Sequence, residues 1–234
     1  MKNWPKYGLK ARFTSKSDIC ELPYVRVFST GAMPAAPILV IIGLDSTELG
    51  FVQEKVDLLG RIAKGKVSST SLTYLRNVCR DILRHNRVTD SNGTEHDLTG
   101  RVVRKIVVMH HHAYLPPDQP RGIAGRLTEL TNSRDLLRAC GDSEVDMLLF
   151  GHEHVPFVDS ITLGGATSSP HRMLCAAAGS LSVFDETKGN SFNVYRLFEE
   201  ETQIETWRFD GQIFRVVSTA TSVFSHDFAR GGSP

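Results

Sequence analysis

Two stretches decide how this chain is read: Val145 to His154, VDMLLFGHEH, and Ile106 to His112, IVVMHHH. Each is an apolar run that stops on histidines, and together they hold five of the nine histidines. An unalternating apolar run of this length predicts a strand buried on both faces. Between the two, Leu127 to Cys140 has helical spacing. Strand, helix, strand predicts a βαβ unit with a parallel pair. In open α/β sheets, ligands sit beyond the carboxyl ends of parallel strands. Both histidine clusters fall there.

Alternation predicts His110 and His112 on one side and His111 on the other, with His152 and His154 sharing a side. Gly151 removes a side chain where the backbone leaves the strand. Neutral imidazole is the commonest metal ligand, and two histidines at i and i+2 suit one metal or two adjacent ones. One histidine at a strand end is usually a polar terminus and nothing more. Two clusters on neighbouring strands, one of them G-H-E-H, point to a metal instead. Glu153 reads as a surface carboxylate or one that orients a ligand. His85, His96, His171 and His226 are isolated, and an ordinary structural or surface role is expected for each.

Outward from this unit, residues 1–36 are irregular except for a strand-like piece, Tyr24 to Ser29. Pro37 leads into ILVIIGL, another doubly buried strand, ended by Asp45, Ser46 and Thr47. Helices are expected over Phe51 to Lys64 and Ser68 to Arg87, the second capped within Ser68 to Ser71. Asn86 to Gly100 is polar, carries Asn92–Gly93, and reads as a loop. Ala113 to Gly125 reads as a long loop, and Asn132 or Ser133 as a cap within the next helix. After His154 come short strands: Pro156 to Leu163, Met173 to Ala178, Phe192 to Leu197, Ile204 to Phe209 and Ile213 to Val217. Gly189–Asn190 and Asp210–Gly211 are hairpin signals. A mostly antiparallel meander is expected, forming a second sheet against the first. A loose tail is expected from Ser218.

Composition narrows the class. With 234 residues, 41% hydrophobic and 23% charged, the chain has an ordinary globular balance. A net charge of +1 gives no bulk signal for nucleic acid or a membrane surface. The longest apolar run, Ala36 to Leu44, is too short to span a bilayer. The N-terminal MKNWPKYGLKAR has no apolar core behind it and does not read as a signal peptide. Cys20, Cys79, Cys140 and Cys175 form no C-x-x-C and read as reduced thiols, so a cytoplasmic location is expected.

IVVMHHHAYLPPD, the helix RDLLRACGD and VDMLLFGHEHVPFVD together resemble the calcineurin-like metallophosphoesterases. That family ends one strand in H-H or H-H-P and the next in G-H-x-H. ILVIIGLDSTELG is similar to its middle strand. The resemblance covers roughly residues 23 to 217. It implies a four-layer α/β/β/α sandwich, with a parallel or mixed sheet followed by an antiparallel meander. It also implies two divalent metals, Mn, Fe or Zn, at the sheet edge. His110 and His152 would be ligands of the second metal, with His111 the alternative to His110. His154 would be a ligand of the first. Such metals clamp phosphate oxygens and supply a hydroxide for in-line attack on a phosphomonoester or phosphodiester.

The chain departs from the family at its start. D-x-H, G-D and G-N-H-D or G-N-H-E, in that order, are absent. By the family's pattern the bridging Asp, the Asn and the proton-donating His belong to those motifs, so no catalytic residue is assigned and the metal is expected to be held weakly. The chain is therefore expected to be one N-terminally incomplete metallophosphoesterase-like domain over 1–217, with a flexible tail over 218–234. An upstream segment or a second chain would complete its site. The alternatives are a non-catalytic remnant acting as a binding or scaffold module, and a lone-metal binder built on the clustered histidines.

Overall fold

In the computed structural model, residues 22–29, 37–47, 65–114, 130–152, 155–164, 170–179, 181 and 190–223 are described. In chain order they form β1 (Tyr24–Phe28), β2 (Ile38–Gly43), α1 (Ser69–His85), β3 (Arg87–Thr89), β4 (Glu95–Asp97), β5 (Val103–Val108), α2 (Ser133–Asp142), β6 (Met147–Phe150), β7 (Phe157–Leu163), β8 (His171–Ala177), β9 (Ser191–Leu197), β10 (Glu201–Phe209) and β11 (Phe214–Val223). The protein is α/β, with a mixed six-stranded sheet ordered β1-β2-β5-β6-β8-β7. β2, β5, β6 and β8 run parallel, and β1 and β7 close the edges antiparallel.

Alternation along the central strands builds two cores. Val40, Ile42, Val107, Leu148, Phe150 and Cys175 face the helices, where Leu72, Leu75, Cys79 and Ile82 of α1 and Leu136 and Ala139 of α2 cover them. Ile106, Met147 and Leu174 face the other way and meet Ile204 of β10, flanked by Tyr195 and Leu197 of β9. A three-stranded antiparallel sheet, β11-β10-β9, therefore lies on the face away from the helices. The described layers are helices, sheet and sheet.

The strand–helix–strand order is as expected, with β5 and β6 parallel neighbours joined through α2, but the helix expected from Leu127 begins at Ser133, residues 130–132 being non-helical. α1 starts where Ser68 accepts a hydrogen bond from the Ser71 amide at 3.0 Å. Four further expectations are corrected. β8 does not join the antiparallel meander but pairs parallel with β6 in the first sheet, carrying β7 with it. The polar stretch after α1 is not all loop: β3 and β4 form a small hairpin around Asn92–Gly93. Asn132 precedes α2, but its side chain makes no cap. Its amide instead spans the Val67 backbone, accepting from the N–H at 3.1 Å and donating to the carbonyl at 2.8 Å. Finally, the strand expected to end at Val217 continues as β11 to Val223, so Ser218–Val223 are paired with β10. The helix expected over Phe51 to Lys64 lies outside the described residues.

Candidate functional site

The carboxyl ends of β5 and β6 lie side by side. The Gly151 N–H donates to the His110 carbonyl at 3.1 Å, holding the two chain exits together just past the strands. His152, the next residue, has φ 79°, a left-handed conformation that few non-glycine residues adopt. The turn this makes brings the His152 ring to the His110 ring. His152 Nδ1 and His110 Nε2 are 2.8 Å apart, with ring centroids at 4.7 Å and planes at 82°. One nitrogen of the pair is a donor and the other an acceptor, so they share one proton.

His111 completes a three-ring cluster. Its centroid is 5.1 Å from that of His110 and 4.7 Å from that of His152. It is buried, and its Nδ1 lies 2.9 Å from Ser46 Oγ, which also accepts from the His111 amide at 3.1 Å. Ser46 thus reaches from the end of β2 to the end of β5. Gly65 makes the close approach possible: a Cβ there would press on the His111 ring and come 2.6 Å from the Ser46 carbonyl oxygen. Burial, then the neighbouring imidazoles of His152, His110 and His112, push the His111 pKa down to about 4, while Asp45 opposes them.

The strict alternation expected of the three histidines ends with β5 at Val108. Past it, His110 and His111 reach the same cluster. His112 is buried against Phe150 at 4.9 Å and Phe157 at 6.0 Å between centroids. Of the three residues expected as ligands, His110 and His152 come together. His154, like Glu153, lies outside the described residues, as does His226. The plain readings suit two of the isolated histidines: His96 pairs with Asp90 at 3.2 Å, and His171 meets the Val145 carbonyl at 2.7 Å. Sequence reasoning missed Ser46 and Gly65 as site residues. Only a serine directly after a buried strand hints at the first, and no local pattern marks the second.

A metal can be tested against these donors. Two nitrogens on one tetrahedral zinc, each about 2.0–2.1 Å from it, stand about 3.3 Å apart. The 2.8 Å between His110 and His152 is a hydrogen-bond distance, and the pair must open to share an ion. Among the described residues no group of three or more His, Cys, Asp or Glu is arranged to hold a metal. Two neutral imidazoles with no carboxylate leave a divalent charge uncompensated. The described donors therefore do not fit a dinuclear centre. A cavity of about 350 Å³, lined by Thr73, Arg76, Arg80, Asp142 and neighbours, shares no residue with the cluster.

The described residues define an α/β protein with an imidazole cluster at the carboxyl edge of a mixed sheet. No family model and no curated protein matches the chain. Among solved structures, a single mutant of Vps29 from Entamoeba histolytica is similar at 12% identity and a TM-score of 0.27, over 80% of this chain and 98% of that one. A double mutant of the same protein is similar at 13% identity and a TM-score of 0.27, with the same coverage. No helix among the described residues is long and apolar enough to cross a membrane.

Proposed function

We propose that this chain carries part of a calcineurin-like phosphoester-hydrolase centre, with His110, His152 and His154 as its metal ligands, and that hydrolysis needs donors beyond those described. The observation that supports this most is the meeting of His110 and His152 at 2.8 Å from the ends of two parallel strands. The fold that goes with this reading is the four-layer sandwich, of which helices, sheet and sheet are the described layers. Its cofactors are two divalent ions, Mn, Fe or Zn, held weakly by this chain's own imidazoles. Its substrate class is a small phosphate monoester or diester. The proposed location is cytoplasmic, in keeping with three buried free thiols, Cys79, Cys140 and Cys175.

The donor deficit also favours a second reading, a non-catalytic binding module of the same ancestry. One experiment separates the two. The chain is assayed with Mn²⁺ on a chromogenic phosphodiester, alone and after fusion to a segment supplying D-x-H, G-D and G-N-H-D. The proposal expects no metal-stimulated hydrolysis alone, and hydrolysis in the fused protein that His110→Ala or His152→Ala lowers by about 100-fold, as ligand or supporting-residue loss typically does. A folded fusion without activity, or an activity indifferent to both substitutions, contradicts it and leaves the binding module.

A further inference from the structure

β11 is an edge strand: among the described residues it pairs with β10 on one side only. It is 10 residues long, and residues 216–221 are exposed apart from half-buried Ala220. Of the nine large hydrophobics that stand exposed among the described residues, Val216, Val217 and Val223 lie on it and Ile213 on the turn that leads in. Natural sheets usually blunt such an edge with charge, proline, a bulge or short length. Here the one charge on the strand, Arg215, is engaged by Asp210 at 2.6 Å. The one irregularity, opposite Thr206 and Trp207, falls before Ser218, and the ladder is regular from Ser218 to Val223.

The residues along this edge have a symmetry of their own. Val217 to Val223 reads VSTATSV, the same in both directions. Two copies laid antiparallel about a twofold axis at Ala220 would set each residue against its like: Val217 against Val223, Ser218 against Ser222, Thr219 against Thr221, Ala220 against Ala220. Pairs of β-branched residues and of hydroxyls stabilise a ladder, and no like charges meet. Edge hydrogen bonding alone would accept any strand. The palindromic, uncharged pattern is what singles out a second copy of this chain.

We propose that β11 is a self-association edge, through which two copies pair antiparallel about Ala220 and join two three-stranded sheets into one of six strands. Such an interface is isologous and uses up the edge on both copies, so it closes at a dimer. Its area is small, so the dimer is one that dissociates on dilution.

Analytical ultracentrifugation of the full chain tests this, with two double variants at the same exposed positions. Wild type is expected to sediment at twice the 25.9 kDa chain mass at high concentration. Thr219→Lys with Thr221→Lys sets lysines against lysines across the axis, and the dimer is lost. Thr219→Lys with Thr221→Glu sets each lysine against a glutamate, and the dimer returns and weakens with salt. Amide exchange of residues 218–222 in wild type provides a check free of any folding defect: it should slow as protein concentration rises. A monomeric wild type overturns the proposal, as does a folded Lys/Lys variant as dimeric as wild type, or exchange that ignores concentration.

Discussion

His111 is the residue on which the site's geometry turns. It is 6% exposed, packed against the imidazoles of His110 and His152, and held by Ser46 from the end of β2. A folded-state pKa of about 4, below the usual 6.5, means the unfolded chain takes up its proton first as the pH falls. The stability this group contributes is complete above about pH 6.5 and is lost progressively as the pH falls toward about 4. At about 1.4 kcal/mol per pKa unit, the loss is on the order of 3 kcal/mol. Urea midpoints measured from about pH 7 down to about pH 4 should fall steeply in wild type and less steeply in a folded His111→Gln variant. Parallel curves would show that His111 carries no such linkage. The cluster itself was legible in the sequence, because apolar runs that stop on histidines mark strand ends directly. Which histidine turns inward was not. Alternation governs side chains only while the strand lasts, and β5 ends at Val108, before the first of them.

At the scale of elements, a buried ion pair ties the first sheet to the second. Arg104 on β5 is 0% exposed and Asp146, just before β6, is 1% exposed. Arg104 Nη1 lies 3.4 Å from Asp146 Oδ1, and the carboxylate's other oxygen accepts from the Lys105 amide at 2.7 Å. Arg104 Nη2 also donates to the Glu199 carbonyl in the turn between β9 and β10. Removing one partner of such a pair leaves the other buried and uncompensated, a cost of about 3–5 kcal/mol. Asp146→Ala is therefore expected to lower stability by about that amount, and Asp146→Asn, which keeps an acceptor for Lys105, by less. Equilibrium denaturation reads both. A loss below about 0.5 kcal/mol for Asp146→Ala, as for an ordinary surface change, would contradict this account of the pair. The charges of Arg104 and Asp146 gave no sign of burial in the sequence, since a charged residue at a strand end normally faces water. The placement of β8 was hidden for a related reason. Turn signals are local, whereas its parallel pairing with β6 joins segments far apart along the chain. The β3–β4 hairpin was missed because strands of three residues carry too few apolar side chains to show a period.

For the whole molecule, one arrangement links the fold to the proposed chemistry. Helices bury one face of the six-stranded sheet, the second sheet buries the other, and the carboxyl ends of β5 and β6 are left side by side. That order followed from the hydrophobic pattern of two strands and the helix between them. Zn²⁺ titrated into the ¹⁵N-labelled chain, followed by long-range ¹H–¹⁵N correlations of the imidazole rings, tests it most directly. The ring nitrogens of His110 and His152 should shift together along one binding curve, while those of His96 and His171 stay in place. Separate curves for His110 and His152, or no response from either while other histidines bind, would contradict the claim that the two strand ends build one site.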